Sequence, residues 1–167
     1  MFHALDGFCS WLSATPASQA IQSSSWVIPA VQTAHIVAVA AVVSSMLMVD
    51  LRLLGVRAGE QSVAGIVRRF LPFVWWPLGV LMLTGAVLII AEPSRALQNP
   101  VFLLKMTLLL LAATIAFICQ WPLRVDAHYW EQSPARRTTA RVLALASLPL
   151  WVAIVFAGRW IAYVQSS

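Results

Sequence analysis

The chain has 167 residues, of which 60% are hydrophobic and only 10% are charged. A soluble domain usually carries about 25% charged residues, so this composition excludes an ordinary water-soluble protein and predicts an integral membrane protein. The net charge is +5, but most of the arginines lie in two loops between apolar segments, a pattern typical of membrane topology and not of nucleic-acid binding.

Residues 1–24 form an N-terminal segment that precedes the apolar part of the chain. Its apolar residues recur at roughly helical spacing between polar ones: Phe2, Leu5, Phe8, Cys9, Trp11 and Leu12. This pattern predicts a short amphipathic helix on the membrane surface, with a partly ordered tail as the alternative. The segment has no basic stretch followed by a compact apolar core, so we do not expect a cleavable signal peptide.

Residues 25–167 are predicted to form the transmembrane part. A helix needs about 20 mainly apolar residues to cross a bilayer. Four segments meet this requirement, at about 26–49, 70–91, 101–121 and 142–164. Because the connections are short, we predict an all-α fold, a four-helix up-and-down bundle. Asp50 and Arg52 are expected to form a cap or salt bridge at the end of the first span.

The arginines predict the orientation of the bundle. Four follow span 1 (Arg52, Arg57, Arg68 and Arg69), and four follow span 3 (Arg124, Arg136, Arg137 and Arg141). Between spans 2 and 3 lies only Arg95, and residues 1–24 have none. Since arginine-rich loops stay in the cytoplasm, we expect both termini outside, in the periplasm if the membrane is a bacterial inner membrane.

Polar residues of several spans gather in the outer half of this predicted bundle. At a rise of about 1.5 Å per residue, His35 lies about 14 Å below the outer surface and Lys105 about 6–8 Å below it. Arg159 lies within about two turns of the same face, and Gln32 is one turn from His35. Ionisable residues inside spans usually face an interior or a cavity. The sequence therefore predicts an outward-facing polar site.

Each of these residues also has a purely structural explanation. His35 could be a neutral imidazole bonded to Gln32 or to a backbone carbonyl. Lys105 and Arg159 could extend to the membrane interface, and Glu92 could pair with Arg95. Taken together, however, they indicate a site for an anionic, partly apolar ligand.

Haem b fits such a site. His35 could ligate the iron, while Lys105 and Arg159 could neutralise the propionates, with Gln32 beside them. His3 and His128 lie outside the spans, so two histidine ligands from one chain are not expected. The haem would then be five-coordinate or would have Met82 or Met106 opposite His35. A quinone bonded to His35 or Lys105 is the alternative. The two cysteines, Cys9 and Cys119, have no disulfide or zinc spacing.

The stretches SSSWVIPAVQTAHIV, VDLRLLG, NPVFLLKM and AGRWIAY resemble an uncharacterised bacterial family of small four-span membrane proteins. In that family the position of Gln32 is often glutamate, and span 3 often ends in histidine where this chain has Gln120. More distantly, the histidine of span 1 and the lysine of a later span are similar to the CopD and HemJ membrane family. That similarity implies haem or porphyrin handling by His35 and Lys105.

These observations favour a redox-associated membrane protein that binds haem b or quinone. The alternative is a non-catalytic accessory subunit of a larger membrane complex, or a homo-oligomer. A small transporter is disfavoured because the inner halves of the spans contain few polar residues. No serine–histidine–acid set, phosphate loop or HExxH motif is present, which leaves open whether the protein is an enzyme.

Overall fold

The computed structural model describes residues 2–56, 63–70, 72–161 and 163, and these residues are helical with short connections. The helices in chain order are α1 (Phe2–Ser13), α2 (Pro16–Ser23), α3 (Val27–Leu53), α4 (Val63–Phe70), α5 (Pro72–Ala91), α6 (Pro93–Leu97), α7 (Pro100–Val125) and α8 (Pro134–Trp160), with a 3₁₀ turn at Tyr129–Glu131. Helices α3, α5 with α4, α7 and α8 are long and apolar enough to cross a bilayer. The all-α four-span bundle with a short N-terminal helix is thereby confirmed.

The N-terminal segment consists of two short helices where the sequence predicted one. Thr15 separates them, because its side chain accepts a hydrogen bond from the Ser18 backbone N–H and thereby caps α2. Helix α1 packs against α6, and α2 packs against the end of α5, where Gln22 donates a hydrogen bond of 2.7 Å to the Ala91 carbonyl. We call this end of the bundle, where α5 and α8 end and α3 and α7 begin, the α6 end.

The four spans do not pack equally against one another. Helix α3 contacts α5 and α8, and α7 contacts α8, whereas the described parts of α5 and α7 barely touch each other. The central core comes mainly from α3, α7 and α8, with residues such as Val42, Met46, Ala112 and Trp151, and α5 adds Val74. Helices α3 and α8 therefore form the inner pair, and α5 and α7 leave most of their apolar surface exposed.

The opposite end of the bundle, which we call the turn end, is covered by α4 and the 3₁₀ turn. Val63 and Val67 of α4 are buried in one apolar cluster with Leu53 of α3 and Trp130 of the turn. The indole N–H of Trp130 donates a hydrogen bond of 2.9 Å to the Cys119 carbonyl. This buried bond fixes the turn against α7.

Three of the spans are longer than the apolar segments that predicted them. Helix α3 continues to Leu53, α7 continues to Val125, and α8 begins at Pro134. Hydropathy marks the part that matches the hydrocarbon, about 30 Å, whereas a helix of 27 residues extends about 40 Å, so its ends reach water. The structure also places α4 inside the stretch expected to be a loop. Arg57 and the predicted end of span 4 at residue 164 lie outside the described residues.

Candidate functional site

A cavity of about 740 Å³ lies in the half of the bundle nearer the α6 end. Its volume is within the range of about 300–1,000 Å³ that is typical of small-molecule sites. All four spans contribute to its wall, which is mainly apolar. The polar and charged lining residues are Gln32, His35, Glu92, Arg95, Lys105 and Arg159. The structure thus brings every residue of the predicted site around one cavity.

His35 is half-buried and is held by a residue of the neighbouring helix. Its Nδ1 atom lies 2.8 Å from Oγ1 of Thr84, and that hydroxyl donates its proton to the Val80 carbonyl at 2.7 Å. Because a hydroxyl has one proton, Thr84 accepts a hydrogen bond from Nδ1–H of His35. The ring is then the tautomer whose Nε2 carries a lone pair.

This arrangement corrects one expectation and adds one residue to the site. The sequence suggested Gln32 or a backbone carbonyl as the partner of His35, whereas the partner is Thr84 of α5. Thr84 is the one hydroxyl residue in the apolar sequence of α5, and that isolation is the signal that could have identified it.

Two glycines make room for the polar side chains of the cavity. A Cβ atom on Gly85 would lie 3.8 Å from Cε1 of His35, and one on Gly158 would lie 3.5 Å from Nζ of Lys105. Both distances are ordinary contacts for a methyl group, so a larger side chain at either position would compete with the imidazole or the ammonium. The glycines therefore let His35 and Lys105 lie against the neighbouring helices.

Lys105 is half-buried in the cavity wall. Among the described residues, Glu92 forms an ion pair with Arg95, the carboxylate of Glu131 lies beside the His128 ring, and no carboxylate forms an ion pair with Lys105. A charge removed from water without compensation is costly. An anionic or electron-rich ligand in the cavity would offset that cost.

The rim of the cavity at the α6 end is more exposed. Glu92 and Arg95 form the expected ion pair at 2.8 Å. Arg159 donates a hydrogen bond of 3.2 Å to the Tyr163 hydroxyl and lies over its ring. Gln32 is exposed and lines the same opening. Among the described residues, the cavity is lined by three cationic side chains and one carboxylate. The net charge of its lining is therefore positive even when His35 is neutral.

The other ligand candidates lie elsewhere. Met82 is 68% exposed and Met106 is 44% exposed, and neither lines the cavity. Neither of these two candidates is therefore placed to be a ligand opposite His35. Gln120 is buried on α7 and is also absent from the lining. Within the described ranges, no three histidine, cysteine or acidic side chains come together to hold a metal ion.

Comparison with protein families gives a match to most of the chain. The family model DUF6644, described as a family of unknown function, matches residues 25–164. No curated protein and no solved structure matches the chain. Since the matched region includes all four membrane-spanning helices, the chain belongs to the DUF6644 family of unknown function.

Proposed function

We propose that this protein is a redox-associated membrane protein that binds haem b in the cavity through His35. The observation that carries the proposal is the contact of 2.8 Å between Nδ1 of His35 and Oγ1 of Thr84. Thr84 occupies Nδ1, so the lone pair of Nε2 is available to a ligand of the cavity. A histidine whose second nitrogen is held by a hydrogen bond is the usual form of a metal-ligating imidazole.

The residues present fit the group. His35 would hold the iron, and the cations Lys105 and Arg159 would bind the propionates near the α6 end. Apolar lining residues such as Phe102 and Ile154 would contact the macrocycle. The bound group would supply one-electron chemistry. The similarity of His35 and Lys105 to the CopD and HemJ pattern supports the same assignment.

Absorbance spectroscopy tests this proposal. Protein purified from haem-replete cells should show a Soret band, and the band should be lost in His35→Ala. His128→Ala is the matched control, because His128 is exposed outside the spans and its removal should leave the band unchanged. A colourless wild-type protein would exclude haem.

A quinone is the second candidate, favoured by the pairing of donor and acceptor groups in the cavity. The Lys105 ammonium can donate to a quinone carbonyl, and Nε2 of His35 can accept from a quinol hydroxyl. Solvent extraction of the purified protein followed by chromatography should then recover quinone from the wild type and much less from Lys105→Gln. Recovery of equal amounts from both proteins would argue against this site.

The proposal includes a bacterial inner membrane, with the cavity facing the periplasm. The arginines of α4 and of the chain around the 3₁₀ turn, including Arg68, Arg69, Arg136 and Arg137, would keep the turn end in the cytoplasm. Both termini would then lie outside, and the ligand would be reached from the periplasmic half of the bilayer.

An accessory role in a larger complex, or a homo-oligomer, is favoured by a different observation. Helices α5 and α7 are only slightly buried within the chain, so their apolar surfaces are available to lipid or to another membrane protein. Native mass spectrometry in mild detergent should detect a partner at fixed stoichiometry. A stable monomer under those conditions would count against this role.

A further inference from the structure

A buried carboxyl group lies in the other half of the bundle, outside the cavity. Asp50 of α3 is only 2% exposed. The sequence suggested a residue at the end of the span, in a cap or a salt bridge. The structure instead buries Asp50 against α8, with the fully buried Ser147 beside its carboxyl group. Within the described residues, the carboxyl oxygen Oδ2 is buried and has no hydrogen-bond partner.

The direction of the hydrogen bonds around Asp50 can be assigned. The indole N–H of Trp151 donates to Oγ of Ser147 at 3.1 Å. An indole nitrogen only donates, so the Ser147 hydroxyl accepts this bond and keeps its own proton for Asp50. The group beside Asp50 that is able to donate a hydrogen bond to it is therefore a neutral hydroxyl.

Among the described residues, the titratable and charged groups on the elements around Asp50 include the following. Helix α7 contributes the buried thiol of Cys119, and α3 itself contributes the half-buried Arg52. The arginines of α4 (Arg68 and Arg69) and Arg141 of α8 are exposed, and the described part of α5 contains no charged residue.

An ionised carboxylate is stable in an apolar interior only when it is paired and fully hydrogen-bonded. Asp50 has one neutral partner and one unpartnered oxygen, which suits a carboxylic acid better than a carboxylate. We propose that Asp50 is a proton-binding site and that its burial between the packed helices keeps it protonated. The ligand of this site is the proton itself.

This site is separate from the cavity. Asp50 is fifteen residues beyond His35 on α3, a distance of about 22 Å along the helix. The buried apolar residues Val42 and Met46 lie between the two along α3. Loss of the proton would place a negative charge between α3 and α8, so protonation of Asp50 would favour the packing of these two helices. The inference does not depend on haem or quinone binding.

Carbodiimide labelling of the full chain in lipid vesicles tests the proposal. N,N′-Dicyclohexylcarbodiimide modifies protonated carboxyl groups in apolar surroundings, so mass spectrometry at neutral pH should find the label on Asp50 and not on the exposed Glu92. Asp50→Asn, which is nearly isosteric, should abolish the labelling. Circular dichroism would show whether that variant remains folded.

Infrared difference spectroscopy covers the case in which the reagent does not reach the site. The wild type should show the C=O band of a protonated carboxyl, the band should disappear in Asp50→Asn, and it should shift in Ser147→Ala because the hydroxyl partner is removed. Glu92→Gln should leave it unchanged. Absence of both the label and the band in the folded wild type would mean that Asp50 is ionised, and the proposal would be overturned.

Discussion

At the scale of single residues, the hydrogen bond between His35 and Thr84 determines what the cavity can bind. An imidazole with both nitrogens engaged by protein would be only a packing residue. With Nδ1 bonded to Thr84 and the Thr84 hydroxyl committed to Val80, the ring keeps one lone pair in a fixed orientation. A residue of α5 thereby sets the chemistry of a residue of α3.

Thr84→Val tests this dependence. Valine keeps the shape of threonine but removes the acceptor, so the His35 ring loses its tautomer and its orientation. Loss of such a supporting group typically costs about 10–100-fold in affinity, and we expect haem affinity, measured by titration of the haem-free protein, to fall by that factor. Thr107→Val is the control, because its exposed hydroxyl only bonds the Leu103 carbonyl of its own helix. Equal affinities for both variants would contradict the assignment.

The sequence predicted the position of His35, Lys105 and Arg159 but not their partners. Depth follows from the rise of a helix and the direction of each span, and both can be read from the chain. The pairing of His35 with Thr84, and of Asp50 with Ser147, depends on how each helix is rotated about its axis. Helix α5 is apolar on all sides, so its sequence contains almost no information about that rotation.

At the scale of the helices, α5 has glycines with different surroundings. A Cβ atom on Gly85 would contact His35, whereas one on Gly79 would have no atom within 4 Å. The glycine beside the cavity therefore keeps space for the imidazole, and Gly79 tolerates added volume.

Two single variants, in which one or the other glycine is replaced by leucine, separate these roles. Gly85→Leu should fill the cavity next to His35 and abolish haem binding while the bundle remains folded. Gly79→Leu should keep the wild-type haem content. Haem per chain and thermal melting of each variant would be measured, and retention of haem in folded Gly85→Leu would contradict the position of the ligand.

The connection between the 3₁₀ turn and α4 depends on Glu131. Its carboxylate lies 3.1 Å from Nδ1 of His128 and accepts a hydrogen bond of 3.3 Å from the Val63 backbone N–H. The hydrogen bond with His128 is the main cause that holds the pKa of Glu131 below its usual value. A lowered pKa means that the carboxylate stabilises the fold above the pKa of the unfolded chain, and that this contribution is lost as the pH falls through the folded value.

Glu131→Gln should therefore destabilise the protein in a pH-dependent way. At pH 7 we expect a loss of about 1 kcal/mol, the usual net value of such a bond. The difference from wild type should shrink towards zero below about pH 4, where the unfolded carboxyl is protonated. Tryptophan fluorescence during thermal unfolding would measure the difference in stability between the variant and the wild type at each pH.

Glu92→Gln is the control. It removes an exposed ion pair and should have a smaller effect on stability. A stability difference for Glu131→Gln that stays constant with pH would contradict the account.

At the scale of the whole molecule, hydropathy and loop charge predicted the number of spans and their order. They predicted the ends of the helices less well, because α3, α7 and α8 continue beyond the hydrocarbon. The charge pattern also predicts the orientation, and both native cysteines are buried, which makes that orientation easy to measure.

Single cysteines introduced at the two ends should react differently in intact cells. Ser94→Cys, at the α6 end, should react with a membrane-impermeant maleimide, whereas Gln132→Cys, beside the 3₁₀ turn, should react only after lysis. Both positions are exposed, so a difference would report the side of the membrane and not burial. The reverse pattern would place the cavity on the cytoplasmic side.

The central claim is that His35 holds a haem in the cavity at the α6 end. Its most direct measurement is the haem content per chain of purified wild type and His35→Ala, determined by the pyridine haemochrome assay with protein quantified by amino-acid analysis. The account predicts one haem per wild-type chain and none in the folded variant. Haem-free wild type from haem-replete cells, or an unchanged haem content in His35→Ala, would contradict it.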